Sequence, residues 1–349
     1  MLRAIRKEII ERAPDWKSYS FATIYFGGGT PSVLNADEIK GLLEDLGQHY
    51  TLKDDLEITL EANPDDLHGE YLSEIRDSPI NRLSIGIQSL YEDHLSWMNR
   101  SHNAEQSRRV IQDAQDYGFQ QLTIDWIYGF PLLSEAQWLA ELAFMLDQGV
   151  THFSAYALTV EERTALASMI AKGKIPFWED ELPARHFDVL MEWADDHGYE
   201  HYEISNFAKE GHRSMHNSSY WQGQAYIGLG PSAHSYRPGN VQGEPYERRW
   251  NLANNALYMK AVEGHQVYHE FEHLTQKDRF NEQVMTSLRL MEGLSLQKLR
   301  EDYPDFTQGL EDALWALRQK GWLQILDDRV ILTREGKHYA DGIAAQLFV

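Results

Sequence analysis

Cysteine is absent from all 349 residues. Without thiols the chain makes no disulfide and offers no thiolate to zinc, copper or an iron–sulfur cluster, so functions resting on cysteine ligation are excluded for these residues. The same absence fits a reducing compartment. Long apolar runs are also missing: no stretch reaches the roughly 18 residues of a membrane span. The start, Met1-Leu2-Arg3-Ala4-Ile5-Arg6-Lys7, lacks the apolar segment of a signal peptide. Positive charge is scarce. Against 54 acidic side chains stand 32 basic ones, a net charge of −22, which repels nucleic acid and anionic membrane surfaces. No basic patch, internal repeat or low-complexity tract interrupts this pattern. These absences predict a soluble cytoplasmic protein with no nucleic-acid partner and no integral membrane segment.

What is present is enough to build a sizeable core. With 42% hydrophobic residues the chain can fill one large core and a smaller appended one. Short β-rich runs near 22–27, 56–61, 82–88, 121–127 and 152–158 alternate with helical patterns. Strand, helix, parallel strand is the economical reading, so the fold class is α/β. The helix over 104–117 sets Val110, Ile111 and Ala114 on one side and stops at Gly118, and the helix over 135–148 stops at Gly149. Further helices are expected over 161–174 and 180–197, and a sixth strand over 202–207. The stretch 209–275, rich in Gly, His, Ser and Tyr, reads as a connector. Residues 276–349 read as helix, helix, helix, hairpin, helix, with the hairpin turning at Asp327-Asp328. The domain division is therefore 1–208, 209–275 and 276–349.

Polar residues gather at the ends of the predicted strands. Gly27-Gly28-Gly29-Thr30-Pro31 follows the first, Glu61 and Gln88 close the second and third, and Asp125 lies near the end of the fourth. Ligands bind at the carboxyl ends of parallel strands in barrels and open sheets alike. Each residue alone can simply cap the next helix; four successive strand ends together predict a site. Glycines suit it, because a backbone without Cβ atoms can approach a ligand closely and present its N–H and C=O groups.

Five phrases occur in order: Thr23 to Pro31, Leu60-Glu61-Ala62-Asn63-Pro64, Gly86-Ile87-Gln88-Ser89, Asp125 to Pro131, and Tyr226 to Pro231. In this order they resemble the radical S-adenosylmethionine proteins of the oxygen-independent coproporphyrinogen III oxidase group, along the whole chain. The resemblance implies a partial (β/α) barrel of TIM type with a C-terminal winged-helix-like helical domain. It implies that S-adenosyl-L-methionine is held by Gly28, Gly29, Thr30, Glu61, Gln88, Arg100 and Asp125. A guanidinium such as Arg100 suits a bidentate pair with the methionine carboxylate, while carboxylates and amides suit the amino group and ribose hydroxyls. It does not divide those groups among Glu61, Gln88 and Asp125. The segment His216-Asn217-Ser218-Ser219-Tyr220-Trp221 resembles a His-Asn-x-x-Tyr-Trp segment of the heme chaperone branch. That implies heme, with His216 as candidate axial ligand and Tyr220, Trp221 or Tyr236 against the porphyrin. The alternative is a structural turn in which His216 and Asn217 bond backbone groups. His234 is a second candidate, and its neighbours Gly230-Pro231 are expected to shape a loop over the barrel mouth.

Members of that group ligate a [4Fe-4S] cluster through Cys-x3-Cys-x2-Cys on their first strand, and His or carboxylate cannot replace all three thiolates. This chain opens on the helix Leu2 to Arg12, the element expected after such a strand. A shortened chain is the expectation, and a naturally cluster-free member is the rival. A lost first strand leaves the strand near 22–27 with an open edge along Ala22, Ile24 and Phe26. No catalytic residue or metal ligand is assigned. The resemblance implies heme binding and delivery to an accepting protein, with coproporphyrinogen oxidation or a non-catalytic scaffold as alternatives. In the tail, the helix near 307–320 sets Glu311 and Asp312 against Arg318 and Lys320. That leaves no surplus for phosphate, so the tail is expected to pack or cover, with Leu310, Leu314 and Leu317 as core.

Overall fold

The structure, a computed structural model, describes residues 1–161, 164–175, 178, 181–239 and 245–349. Seven strands form one sheet: β1 (Ser20–Phe26), β2 (Thr51–Ala62), β3 (Arg82–Gln88), β4 (Gln121–Tyr128), β5 (His152–Ala157), β6 (Glu200–Glu203) and β7 (Asn206–Ala208). Their order is β1-β2-β3-β4-β5-β7-β6. From β2 to β5 neighbouring strands run parallel. The helices Gly69–Arg76, Ala104–Asp116 and Glu135–Asp147 fall between successive parallel strands, which is the repeated unit of a partial β/α barrel. β1 closes one end of the order and is an edge strand among the described residues.

Local chemistry explains why these segments start and stop where they do. Asn103 with Gln106 and Ser134 with Gln137 form capping boxes at the starts of two of these helices, satisfying N–H groups that a first turn otherwise leaves unpaired. Gly118 and Gly149, at φ of 96° and 69°, end them in the left-handed region. Val110, Ile111 and Ala114 are buried as the periodicity requires; each of the larger two contributes roughly 1.5–3 kcal/mol by burial. Trp126, Trp138, Phe130 and Phe153 lie fully buried, with the rings of Trp126 and Trp138 meeting edge to face at 6.4 Å.

Several expectations change. The sixth strand over 202–207 is instead the antiparallel hairpin β6–β7. Glu203 makes the turn by accepting from the Ser205 N–H at 3.0 Å and from Asn206 Nδ2 at 2.8 Å. β2 begins at Thr51, earlier than its apolar pattern suggests, because Lys53, Asp54 and Asp55 leave that part exposed on both faces. The helix expected over 161–174 is found as Ala165–Ala171, with residues 162 and 163 outside the described set. The helix expected over 180–197 is Glu181–Asp196, and residue 180 is likewise outside.

Two compact units divide the chain. One gathers Met1–Ile24, Asp37–Glu57 and Ser214–Val349; the other gathers Tyr25–Ala36 and Ile58–Arg213. In the first, the helix Leu2–Arg12 buries Glu8, and a three-stranded antiparallel sheet forms from β8 (His234–Arg237), β9 (Glu247–Asn251) and β10 (His269–His273). The segment read as a connector thus carries a sheet of its own, followed by helices at Gln276–Arg289, Leu296–Asp302 and Leu310–Gln319. The hairpin β12 (Leu323–Leu326) and β13 (Arg329–Leu332) pairs antiparallel and takes β11 (Leu294–Ser295) onto its other side. Leu310, Leu314 and Leu317 are buried. The single closing helix expected is two short ones, Arg334–Lys337 and Ala340–Gln346. Among the described residues no helix is long and apolar enough to cross a membrane.

Candidate functional sites

The strand ends converge as their positions require. Tyr25 donates to Glu61 Oε1 at 2.6 Å, and the Gly28 N–H reaches Glu61 Oε2 at 3.3 Å. Gly28 sits at φ 75°, in the left-handed region that favours glycine. Gly27, not among the expected positions, is also demanded: a Cβ there would lie 2.6 Å from Tyr25 Cε1 and 2.9 Å from the Glu61 carboxyl. Gly29 faces open space. Thr30 Oγ1 stands 3.5 Å from Asn63 Nδ2, and Arg100 donates to Asn63 Oδ1 at 3.0 Å. Gln88, at φ 64°, turns its side chain back: a Cβ on Gly86 would meet Gln88 Nε2 at 2.8 Å and an Arg100 nitrogen at 3.4 Å.

Asp125 is the electrostatic centre of this group. Ser84 donates to its Oδ2 at 3.2 Å, while Oδ1 is buried without a hydrogen-bond partner among the described residues. Burial is the main cause that pushes its pKa up to about 7; the charge of Glu61 adds to it, and Ser154, Ser84 and Arg100 oppose it. Burial also lowers the Arg100 pKa, against the pull of Asp65 and Asp125. Burial and Glu61 raise the Tyr25 pKa, so the phenol stays neutral and donates. Two carboxyls, one guanidinium whose buried Nε has no partner among the described residues, two amides and a glycine loop thus gather at the strand ends, groups of the kind that bond cationic and anionic parts of a ligand.

The other unit holds His216, in the first turn of the helix Met215–Trp221. Glu57 accepts from the Met215 N–H at 3.0 Å, the His216 N–H at 2.8 Å and the Ser214 hydroxyl at 3.2 Å. The ring Nδ1 lies 2.9 Å from Thr23 Oγ1. Burial drives the imidazole pKa down to about 4, with Glu57 opposing, so the ring is neutral at pH 7. Tyr220 meets it edge to face at 5.1 Å and stacks toward Tyr226 at 4.4 Å, which in turn faces Tyr236 at 6.1 Å. The turn alternative of the sequence is therefore a helix N-terminus. Arg289 covers Trp221, its Cζ 4.8 Å from the ring. His234 is exposed on β8 and stacks on Trp250 at 6.3 Å. Gly230 is tied down by Glu8, which accepts its N–H at 2.8 Å, and by Asn251, which donates to its carbonyl at 2.8 Å.

Asn63, Ser84, Glu57 and Glu8 were not legible as site or framework residues. Asn63 stands inside the Leu60–Pro64 run and had a signal there, whereas Ser84 is recognised only from its register opposite Glu61. Glu57 acts on residues 157 to 159 positions away, and no local pattern reports that.

Comparison with known proteins gives the family. The radical SAM superfamily profile matches residues 5–145, and the HemN C-terminal domain profile matches 274–338. The heme chaperone HemW of Bacillus subtilis is 31% identical over 341 residues, covering 96% of this chain and 88% of that protein. HemW of Mycobacterium tuberculosis is 30% identical over 347 residues, covering 99% and 85%. The solved structure of Escherichia coli coproporphyrinogen III oxidase (HemN), described as a radical SAM enzyme, matches with a TM-score of 0.83 at 20% identity, over 100% of this chain and 82% of that one. That likeness shows the fold, a partial (β/α) barrel of TIM type. The sequence matches carry the rest: the chain belongs to the radical SAM, HemN-like family, close to the heme chaperone HemW.

Proposed function

We propose that this chain is a heme chaperone of the HemW type, which binds heme for delivery to an accepting protein and binds S-adenosylmethionine at the strand ends. One observation carries the heme reading: His216 is neutral and oriented. Its Nδ1 lies 2.9 Å from Thr23 Oγ1, and a hydrogen bond at one ring nitrogen is what orients metal-binding histidines. Tyr220, Tyr226 and Tyr236 supply aromatic surface of the kind a porphyrin takes. Names of relatives at about 30% identity support the same reading.

The family's two cofactors fare differently. S-adenosylmethionine fits the residues present: Arg100 would hold the methionine carboxylate, the Gly27–Thr30 loop would lie along it, and Asp125, whose buried Oδ1 lacks a partner among the described residues, would take an amino or hydroxyl donor together with Glu61 and Gln88. When bound, this cofactor supplies a sulfonium from which an adenosyl group can leave. The [4Fe-4S] cluster does not fit. These residues include no cysteine, and among the described residues no three His, Asp or Glu side chains group to hold a metal ion. The fold likeness to HemN is consistent with coproporphyrinogen oxidation, but the sequence matches to HemW favour the heme chaperone reading. Titration with hemin tests the proposal: a shifted Soret band that saturates at a fixed stoichiometry, with heme passing on to an apo-protein acceptor, is expected. Unsaturable absorbance like that of hemin on a bulk protein would leave the scaffold reading.

A further inference from the structure

The sheet β8–β9–β10 has a face that the preceding reading does not use. Strand alternation puts Ser235 and Arg237 of β8, Glu247 and Arg249 of β9, and His269 and Phe271 of β10 on that face; register aligns Ser235, Arg249 and Phe271 in one row. Together with Arg12, Asp15 and Trp16 they line a cavity of about 200 Å³. Four nitrogens of its lining are buried with no partner among the described residues: Nε of Arg12, Arg237 and Arg249, and Nδ1 of His269. Native proteins leave few such groups, and each one calls for an explanation.

Charge narrows the occupant. Arg12 is only 5% exposed, and it spends its Nη1 on the Gly228 carbonyl and the Ser235 hydroxyl, both at 3.0 Å. Burial and the neighbouring Arg249 lower its pKa, and burial with both arginines drives His269 down to about 4. These groups repel one another across the cavity. Arg12 already has buried Glu8 at 3.7 Å, so Arg249 is the arginine of the lining for which no ion pair is found among the described residues. Arg237 and Glu247 already approach to 3.6 Å. Beside the charges stand Trp16, buried, and Phe271, 54% exposed, two apolar walls.

We infer that this cavity is a binding site for a small organic carboxylate, whose anionic end lies between Arg12 and Arg249 and whose hydrocarbon lies against Trp16 and Phe271. With Arg12 and Arg237 each already beside a carboxylate, Arg249 matches a monoanion better than doubly charged phosphate. The space equals that of roughly six or seven waters, which admits a small acid, or one acid arm of a larger ligand, and excludes a whole macrocycle. The site stands apart from the heme reading, since none of its residues is used there.

The test is calorimetry on the full chain with 3-phenylpropanoate, 3-phenylpropanamide and inorganic phosphate. Saturable 1:1 binding of the acid is expected, with the amide at least tenfold weaker and phosphate weaker than the acid. Arg249→Ala should weaken the acid at least tenfold and Arg249→Lys by less, with thermal melts confirming both folds. Equal binding of acid and amide overturns the proposal, even on the unaltered chain alone. Phosphate binding tighter than the acid, or an Arg249→Ala chain that folds and binds like the parent, overturns it too. Whether the acid arm can belong to heme is read separately: if 3-phenylpropanoate competes with hemin the arm is heme's, and if both bind together the acid is a free molecule.

Discussion

Glu57 holds the backbone of His216: its Oε1 accepts the His216 N–H at 2.8 Å, and its Oε2 accepts the preceding Met215 N–H at 3.0 Å. A carboxylate at the start of a short helix both satisfies free N–H groups and complements the positive end of the helix. Glu57→Ala should therefore lower stability by roughly 1–2 kcal/mol, read as a lower urea midpoint. It should also weaken heme binding several-fold by freeing the ring. A variant with unchanged stability and unchanged heme affinity would show that this clamp is idle.

Gly27 leaves no room for a side chain. With an added Cβ at 2.6 Å from Tyr25 and 2.9 Å from Glu61, Gly27→Ala must displace the Tyr25–Glu61 hydrogen bond. A loss of about 1–3 kcal/mol is expected from the forced contact, along with S-adenosylmethionine binding, whereas Gly29→Ala, facing open space, should bind as the parent does. Parallel calorimetry of the two variants distinguishes them, and equal behaviour counts against the loop geometry.

Asp125 should make cofactor binding pH-dependent. Its pKa of about 7 means that the carboxylate needed to meet an amino or hydroxyl donor forms only as pH rises through that value. Affinity should fall about tenfold per unit below pH 7 and level off above it. Asp125→Asn should be weaker at pH 8 and flat with pH. A parent profile with no slope between pH 5.5 and 7 would remove Asp125 from the site.

Glu141 offers a stability test with a definite sign. It is fully buried, accepts from Ser89 Oγ at 2.5 Å and the Leu90 N–H at 2.8 Å, and burial pushes its pKa from 4.5 up to about 7. The folded state then binds more protons than the unfolded state between these values, so its contribution is greatest below pH 4.5 and is lost as pH rises through 7. Glu141→Gln keeps the acceptor and removes the titration. Relative to the parent it should gain roughly 1–3 kcal/mol between pH 5 and pH 8, and an unchanging difference would place the raised pKa elsewhere.

The strands that reveal themselves are those whose apolar runs are central. β3, β4 and β5 are buried along most of their length, so composition alone marks them. The exposed start of β2 and the hairpin made by Glu203 depend on side-chain bonding that periodicity does not carry. At the strand ends, Glu61, Gln88 and Asp125 stood out because chemistry at a carboxyl end is rare in a core. The basic cavity did not, because its arginines come from a helix and from two strands and meet only through sheet register.

Ligation of heme iron by His216 is tested most directly by hemin absorbance with His216→Gly in the absence and presence of free imidazole. The expected result is a parent Soret band that the variant loses or shifts, and that added imidazole restores. A His216→Gly chain that folds and gives the parent spectrum with parent affinity, indifferent to imidazole, would contradict it.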